Sequence, residues 1–239
     1  MLTGPAPIGR TEMRLTIAAT AAALLAGPAL AQSEALPLPP DCAGFLTVQS
    51  KGCIVTNYFR CETDPEGVQR YVTYFEDRLT GASVVDEEFQ WLESYGAERE
   101  EILGETPDPA SITELFEAGE DSYEFELIEQ TRGGERRYRV VGVDRLEGGE
   151  VEIDGEPLSR TVFAMKRIDD ETGEEILSVT GAQYVSEYRR LFFSGTETLS
   201  IGGRTVEIDH SPVEFIEPGE PGFFATTPIY GCGVQDTAY

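Results

Sequence analysis

The feature that most restricts the fold of this chain is a regular series of strand-forming segments separated by short turn sequences, which begins near Asp121. Consecutive segments flank Gly133-Gly134 and then Asp154-Gly155, and further turns are expected at 170–173 and at Gly202-Gly203. These dipeptides favour tight hairpins because glycine and aspartate tolerate positive φ. Strands joined in this way pair antiparallel with their sequence neighbours. The pattern predicts strands at 122–131, 136–145, 150–153 and 156–168.

Several of the expected strands, most clearly 184–193, carry apolar or aromatic residues at both alternating positions. Successive side chains of a strand point to opposite faces of the sheet, so such a strand is covered on both sides. A strongly curved sheet provides that cover. We therefore predict a mainly β fold, namely a curved antiparallel meander that forms an open or half-barrel-like sheet, with one short covering helix.

The covering helix is expected just before residue 120. Asp108 is suited to be its N-cap, Pro109 fits the first helical position, and Gly119 ends it. The apolar stripe that would face the sheet consists of Ile112, Leu115 and Phe116.

Upstream of this helix we predict strands at 68–75 and 82–95, followed by a charged connection at 96–108. No repeat or shift in composition divides the chain after residue 41. A single mainly-β domain at 42–239 is therefore the default, with the part before residue 120 as a possible semi-independent half.

The N-terminus has the organisation of an export signal. Met13-Arg14 precedes an apolar run at 15–25, and Ala29-Leu30-Ala31 forms a small-residue cleavage site. The run is too short to span a bilayer. We expect residues 1–31 to be removed, with 1–12 an upstream extension, and a Pro-rich leader at 32–41; an uncleaved N-terminal anchor is the alternative. The predicted location is the periplasm or the exterior, with no transmembrane segment in the mature chain.

An exported chain is expected to use its four cysteines as two disulfides. Cys53 and Cys61 flank an extended-looking segment that would hold them about 26 Å apart at ~3.3 Å per residue, so they are not expected to pair. A turn at Lys51-Gly52 would set Cys42 opposite Cys61. This predicts the bridges Cys42–Cys61 and Cys53–Cys232. The spacings do not fit a zinc or thioredoxin-like site, so we predict neither metal nor cofactor.

Charge excludes one class of partner. The 239 residues include 44 Asp and Glu against 18 Lys and Arg, a formal net charge of −26 at pH 7. The summed field repels DNA and RNA, so no nucleic acid is expected to bind.

Candidates for catalysis are few. His210 lies between Asp209 and Ser211, but neighbouring residues of a strand point to opposite faces and do not form a triad. The acidic runs at 86–88 and 169–175 lack the spacing of a calcium loop and are typical of solvated turns. With 44 acids in the chain, any carboxylate pair can be imagined. The sequence therefore favours a non-enzyme, with a hydrolase using carboxylates or His210 as the alternative.

Binding residues are predicted on the later strands. Eleven of the 18 basic residues lie between 132 and 204, and several would gather on one face if strands there are neighbours. The alternative is pairing with Glu124, Glu126, Glu129 and Glu187. Aromatic residues of the same region could line an apolar cavity or fill a core. The candidate ligand-binding residues are Arg137, Arg139, Arg190, Tyr184, Tyr188 and Phe192, with Arg167 and Arg189 as further members of the basic set.

These observations favour an exported binding protein whose curved sheet takes an apolar or amphipathic ligand, lipid-like or otherwise, or an envelope protein partner. The organisation resembles that of the LolA-like lipoprotein carriers, in architecture and without a shared motif. A hydrolase and a structural or interaction protein with a filled core are the alternatives. The sequence leaves the ligand and the oligomeric state open.

Overall fold

The computed structural model describes residues 1, 4, 36–97 and 99–233. The predicted export signal, its cleavage site and the start of the leader therefore lie outside the described residues, apart from Met1 and Gly4. From Leu36 onward the described residues belong to one compact unit.

The described residues form a single meander of thirteen antiparallel strands with one short helix, as the sequence predicts. The strands are β1 (Cys42–Ser50), β2 (Ile54–Cys61), β3 (Gln69–Phe75), β4 (Arg78–Val85), β5 (Trp91–Tyr95), β6 (Arg99–Leu103), β7 (Glu120–Thr131), β8 (Gly134–Ile153), β9 (Glu156–Asp169), β10 (Glu175–Ser186), β11 (Leu191–Ile201), β12 (Arg204–Asp209) and β13 (Pro212–Ile216); helix α1 is Ile112–Ala118. Each strand from β1 to β12 pairs with its sequence neighbours, and β13 pairs with β1. The sheet is not closed: its edge strands β12 and β13 are joined by the chain at His210-Ser211 rather than by a ladder.

Turn dipeptides mark several hairpins correctly. Asp154 and Gly155 connect β8 to β9 with φ of 51° and 78°, and Gly202 and Gly203 connect β11 to β12 with φ of 55° and 78°. Positive φ at both central residues is the geometry that matches the twist of paired strands.

Two predicted strands are each interrupted by a turn. The segment 82–95 breaks at 86–90, where the Asp86 carboxylate accepts hydrogen bonds from the amides of Glu88 and Gln90. The segment 184–193 is the β10–β11 hairpin. The predicted connection at 96–108 was also wrong in part, because it contains β6, which pairs with β7.

Helix α1 begins one turn later than expected. Ser111 is the N-cap, and its hydroxyl accepts from the amide of Glu114. Asp108, the predicted cap, instead forms a bridge with Glu124 and accepts from the Ser122 hydroxyl. Gly119 ends the helix in the left-handed conformation, as predicted.

Both predicted disulfides are present. Cys42 is bonded to Cys61 across β1 and β2, and Cys53 is bonded to Cys232 in the C-terminal segment. Two disulfides fit an oxidising compartment outside the cytosol. Within the described residues, no helix has the length and apolar character needed to cross a membrane.

The C-terminal segment, residues 217–233, lies on the outer face of β1 and β2, where buried Thr47, Gln49 and Asn57 hydrogen-bond to its backbone. Those polar side chains have the parity opposite to Leu46, Val48 and Tyr58, which face the interior core.

Candidate functional site

The concave side of the sheet holds a partly open cavity of about 370 Å³, called the central cavity below. A smaller space of about 90 Å³, the inner pocket, adjoins it near helix α1. The two share six lining residues and are predominantly apolar. The shared residues are Phe89, Trp91, Phe163, Met165, Gln183 and Phe192.

The cavity follows from strand alternation and register. Phe163 and Met165 of β9 point inward two residues apart, and their β10 partners are Gly181 and Val179. Glycine is required at 181 because the backbone of β11 approaches closely there, and a Cβ atom would collide with the Thr196 carbonyl oxygen. Interiors without a function are close-packed, so an internal space of this size needs an explanation.

Two aspartates lie in the inner pocket directly across from one another. Asp121 of β7 and Asp144 of β8 are register partners, and the two residues are only 3% and 5% exposed. Asp121 Oδ2 accepts from the Ser111 amide at 2.9 Å. Asp144 Oδ1 accepts from Gln183 Nε2 at 2.5 Å. Asp121 Oδ1 is buried and accepts no hydrogen bond from any described residue.

Burial changes the acidity of both carboxyls. It raises the pKa of Asp121 to about 6. The hydrogen bond from the Ser111 amide lowers this pKa, whereas the negative charges of Glu114 and Asp108 raise it further. Burial raises the pKa of Asp144 to about 7, and the nearby charge of Asp121 adds to this effect. The pair therefore titrates near neutral pH, where ordinary carboxyl groups are fully ionised.

An aromatic wall stands beside the aspartates. Tyr123 and Phe125 of β7 are stacked with ring centroids 5.9 Å apart, and Trp91 contacts Phe125 edge-on at the same distance. The Tyr123 ring lies over Gly142 of β8, where a Cβ atom would come within 2.3 Å of it. Glycine is therefore required at 142 for the ring to take this position.

The central cavity has its own titratable groups, Glu197 and His210. Burial raises the pKa of Glu197 and lowers the pKa of His210. Asp209 does not orient the histidine: its carboxylate accepts from Lys51 Nζ at 2.7 Å and from the amide and hydroxyl of Ser211. The contacts agree with the argument from strand parity against a triad at 209–211.

The structure does not gather the predicted arginines. Arg137 and Arg139 lie on the outer side of β8, paired with Glu126 and Glu124 of β7. Arg167 is opposite Val140 in the β8–β9 ladder, which places it on the inner side. There it is 2.6 Å from Glu101 and stacks over Tyr138.

The remaining basic candidates lie at the β10–β11 turn and are ion-paired. Arg189 contacts Glu156 and Glu217, and Arg190 contacts Glu88 and donates to the carbonyl of Glu87. These pairs link separate loops at one end of the sheet.

The three predicted aromatic residues also lie in different parts of the structure. Phe192 lines both the central cavity and the inner pocket. Tyr184 packs against the main core cluster, and Tyr188 is 87% exposed. Of the six predicted ligand-binding residues, Phe192 alone lines the two spaces.

Asp121 and Asp144 were missed as individual residues, although the sequence contained a signal. Asp121 shares its parity with Tyr123, Phe125 and Leu127, so an acid stands at a position where the alternation requires an apolar side chain. Among the described residues, no group of three or more histidine, cysteine or acidic side chains is arranged to hold a metal ion.

Comparison with protein-family models, with curated proteins and with solved structures finds no match to this chain. The architectural resemblance to the lipoprotein carriers therefore gains no support, and function is argued from the cavity itself.

Proposed function

We propose that this chain is an exported, non-catalytic binding protein that takes an apolar or amphipathic small molecule into its central cavity. The observation that carries the proposal is the space of about 370 Å³ on the concave face, walled mainly by aromatic and aliphatic side chains. Small-molecule sites typically enclose roughly 300–1,000 Å³ and combine such walls with a few polar groups.

Two further features support this reading. The predicted export signal and the two disulfides suit a protein that works outside the cytosol. The unfilled interior argues against a purely structural protein with a filled core. An envelope protein partner is the other form of binding that the sequence suggests, and the cavity favours the small molecule.

Trp91 makes the proposal directly testable, because it is the one tryptophan of the chain and lines the cavity. We would titrate the mature protein with the neutral apolar dye N-phenyl-1-naphthylamine and follow energy transfer from Trp91. Saturable transfer is expected. Absence of saturable transfer would overturn the proposal.

A matched pair of variants locates the dye. Val179→Phe fills the cavity from β10, whereas Val162→Phe adds the same ring on β9 at an exposed position. The first variant should weaken dye binding at least ten-fold and the second should leave it unchanged. Equal effects would place the dye outside the cavity.

A second candidate function, hydrolysis by carboxylate acid–base chemistry, is favoured by the opposed Asp121 and Asp144. Carboxyl groups with pKa values near 6 and 7 in a cavity are suited to exchange protons at neutral pH. Turnover of aryl glycosides or aryl esters that is lost in both Asp121→Asn and Asp144→Asn would support this candidate. Without such turnover the binding function stands alone.

A further inference from the structure

We infer that the ligand carries a protonated amine, which binds between Asp121 and Asp144 while the apolar part of the ligand extends into the central cavity. This inference rests on the proposed binding function and specifies the ligand class.

Asp121 has an unmatched hydrogen-bond acceptor. Asp121 Oδ1 is buried in the inner pocket and accepts no hydrogen bond from any described residue, although the Asp121 residue is 97% buried. An unsatisfied buried acceptor costs about 1–3 kcal/mol, and more when it is charged. A ligand group that donates hydrogen bonds in the inner pocket removes this cost, and an ammonium group has up to three donors.

The charged groups around the inner pocket are acidic. Neither lysine nor arginine occurs among the described residues that line the inner pocket or the central cavity. The titratable groups that act on the two aspartates are Tyr123 on β7, Glu114 on α1, Asp108 in the bridge to β7 and Glu88 in the 86–90 turn. Glu197 and His210 lie in the adjoining central cavity. Arg190 is 2.5 Å from Glu88 and outside the pocket lining. The pocket therefore repels carboxylate or phosphate and attracts a cation.

Aromatic side chains line most of the inner pocket. Phe89, Trp91, Tyr123, Phe125, Phe163 and Phe192 surround the same small space. Aromatic faces attract cations, and cages that combine aromatic rings with carboxylates suit ammonium groups. The inner pocket, at about 90 Å³, has room for a head group, and the adjoining cavity has room for a ring or chain.

The experiment compares three probes of similar shape, namely 2-phenylethylamine, 2-phenylethanol and 3-phenylpropanoate. Each is titrated into the mature protein at pH 8 by calorimetry, with Trp91 fluorescence as a second readout. We expect the amine to bind at least ten-fold more tightly than the alcohol, and the anion to bind more weakly than either.

Variants test the assigned position. Asp144→Asn should abolish the preference for amine over alcohol while leaving alcohol binding within two-fold. Glu124→Gln removes an outward-facing acid from β7. It should change neither the preference for the amine nor the affinity for the alcohol. Asp121→Asn provides a second test if Asp144→Asn does not fold.

The pH dependence gives a test in the unmodified protein. 2-Phenylethylamine, which stays protonated over this range, should bind more tightly as the pH rises from 5 to 8, because the two aspartates lose their protons. The alcohol should not show this trend.

The outcomes separate this inference from the proposed function. If alcohol and amine bind equally well, the amine assignment is overturned and the binding function stands. If the neutral dye also fails to bind, the proposed function falls with it. A preference for the amine that survives both Asn variants would place the ammonium group elsewhere and overturn the assignment.

Discussion

At the scale of single residues, Asp121 and Asp144 lower the stability of the fold that holds them. Both occupy inward positions next to apolar and aromatic side chains, and the folded state protonates both at pH values where an unfolded chain would ionise them. Asparagine or a small apolar residue at these positions would avoid this cost. Groups whose acidity is strongly changed by burial in a cavity are typical of functional sites.

Asp144→Asn is therefore expected to stabilise the protein at high pH. The pKa of Asp144 is about 7 in the folded state against 3.8 when unperturbed, so the folded state binds more protons between pH 4 and 7 and stability falls as pH rises through this window. At about 1.4 kcal/mol per pKa unit, the variant should gain up to about 4 kcal/mol at pH 8. Thermal unfolding at pH 8 and at pH 4 measures this, and the gain should vanish at pH 4.

Asp64→Asn is the control of opposite sign. The hydrogen bonds from Arg70 lower the pKa of Asp64, so its contribution to stability is present above the unfolded pKa and lost as pH falls through the folded pKa. This variant should be less stable than the parent protein at pH 8. Destabilisation by Asp144→Asn at pH 8 would contradict the account of the inner pocket.

At the scale of elements, the C-terminal segment is held on the outer face of the sheet by three buried polar side chains. Thr47 Oγ1 accepts from the Phe224 amide and donates to Asn57 Oδ1, and Asn57 Nδ2 donates to the Ala225 carbonyl. Gln49 continues the series by hydrogen-bonding at Thr227 and Ile229. The three polar side chains thus satisfy backbone groups of the segment that covers them.

Asn57→Ala should release this attachment. The substitution leaves the Ala225 carbonyl and the Thr47 hydroxyl without their partner, at a cost of about 2–3 kcal/mol. Denaturant unfolding gives the cost, and hydrogen exchange should show faster exchange of the Phe224 amide. Thr205→Ala, which removes an exposed hydroxyl contact to Ser200, should cost less than about 0.5 kcal/mol. Equal losses would show that the buried series is not what holds the segment.

The accuracy of the sequence prediction for each element depended on whether local residues determine the turn. The dipeptides Asp154-Gly155 and Gly202-Gly203 determine their turns locally, and both hairpins were predicted correctly. The missed turns at 86–90 and 187–190 instead place Phe89 and Arg190 at positive φ, which neither residue favours. The ion pair of Arg190 with Glu88 joins the two turns to each other. Such a contact between distant segments leaves no local signal.

The first hairpin was predicted correctly for a partly wrong reason. Its turn has three residues, 51–53, rather than two, which shifts the register by one residue. An irregularity between Gly44 and Leu46 shifts it back, so Cys42 still lies opposite Cys61. From the sequence, the aromatic residues could either line a cavity or fill a core. The sequence did not decide between these two, because the shape of the cavity depends on the curvature of the whole sheet.

At the scale of the whole molecule, the chain connects both ends of its meander. The two edge strands are consecutive in sequence, with β12 on β11 and β13 on β1. The Cys53–Cys232 bond spans 179 residues and joins the first turn to the C-terminal segment. The cavity walls come from strands throughout this loop, so their relative positions depend on the two ends staying together.

The two disulfides are therefore expected to differ in their contribution to stability. Loop-closure entropy predicts about 5 kcal/mol for the bond spanning 179 residues and about 3 kcal/mol for the Cys42–Cys61 bond, which spans 19. Replacing both cysteines of one bond by serine, one bond at a time, should lower the denaturant midpoint more for Cys53–Cys232. At denaturant concentrations well below each midpoint, dye binding should be weaker in the variant without Cys53–Cys232, because the link between the ends of the sheet is lost. A larger loss from the short loop would mean that contacts around Cys42, rather than chain entropy, dominate.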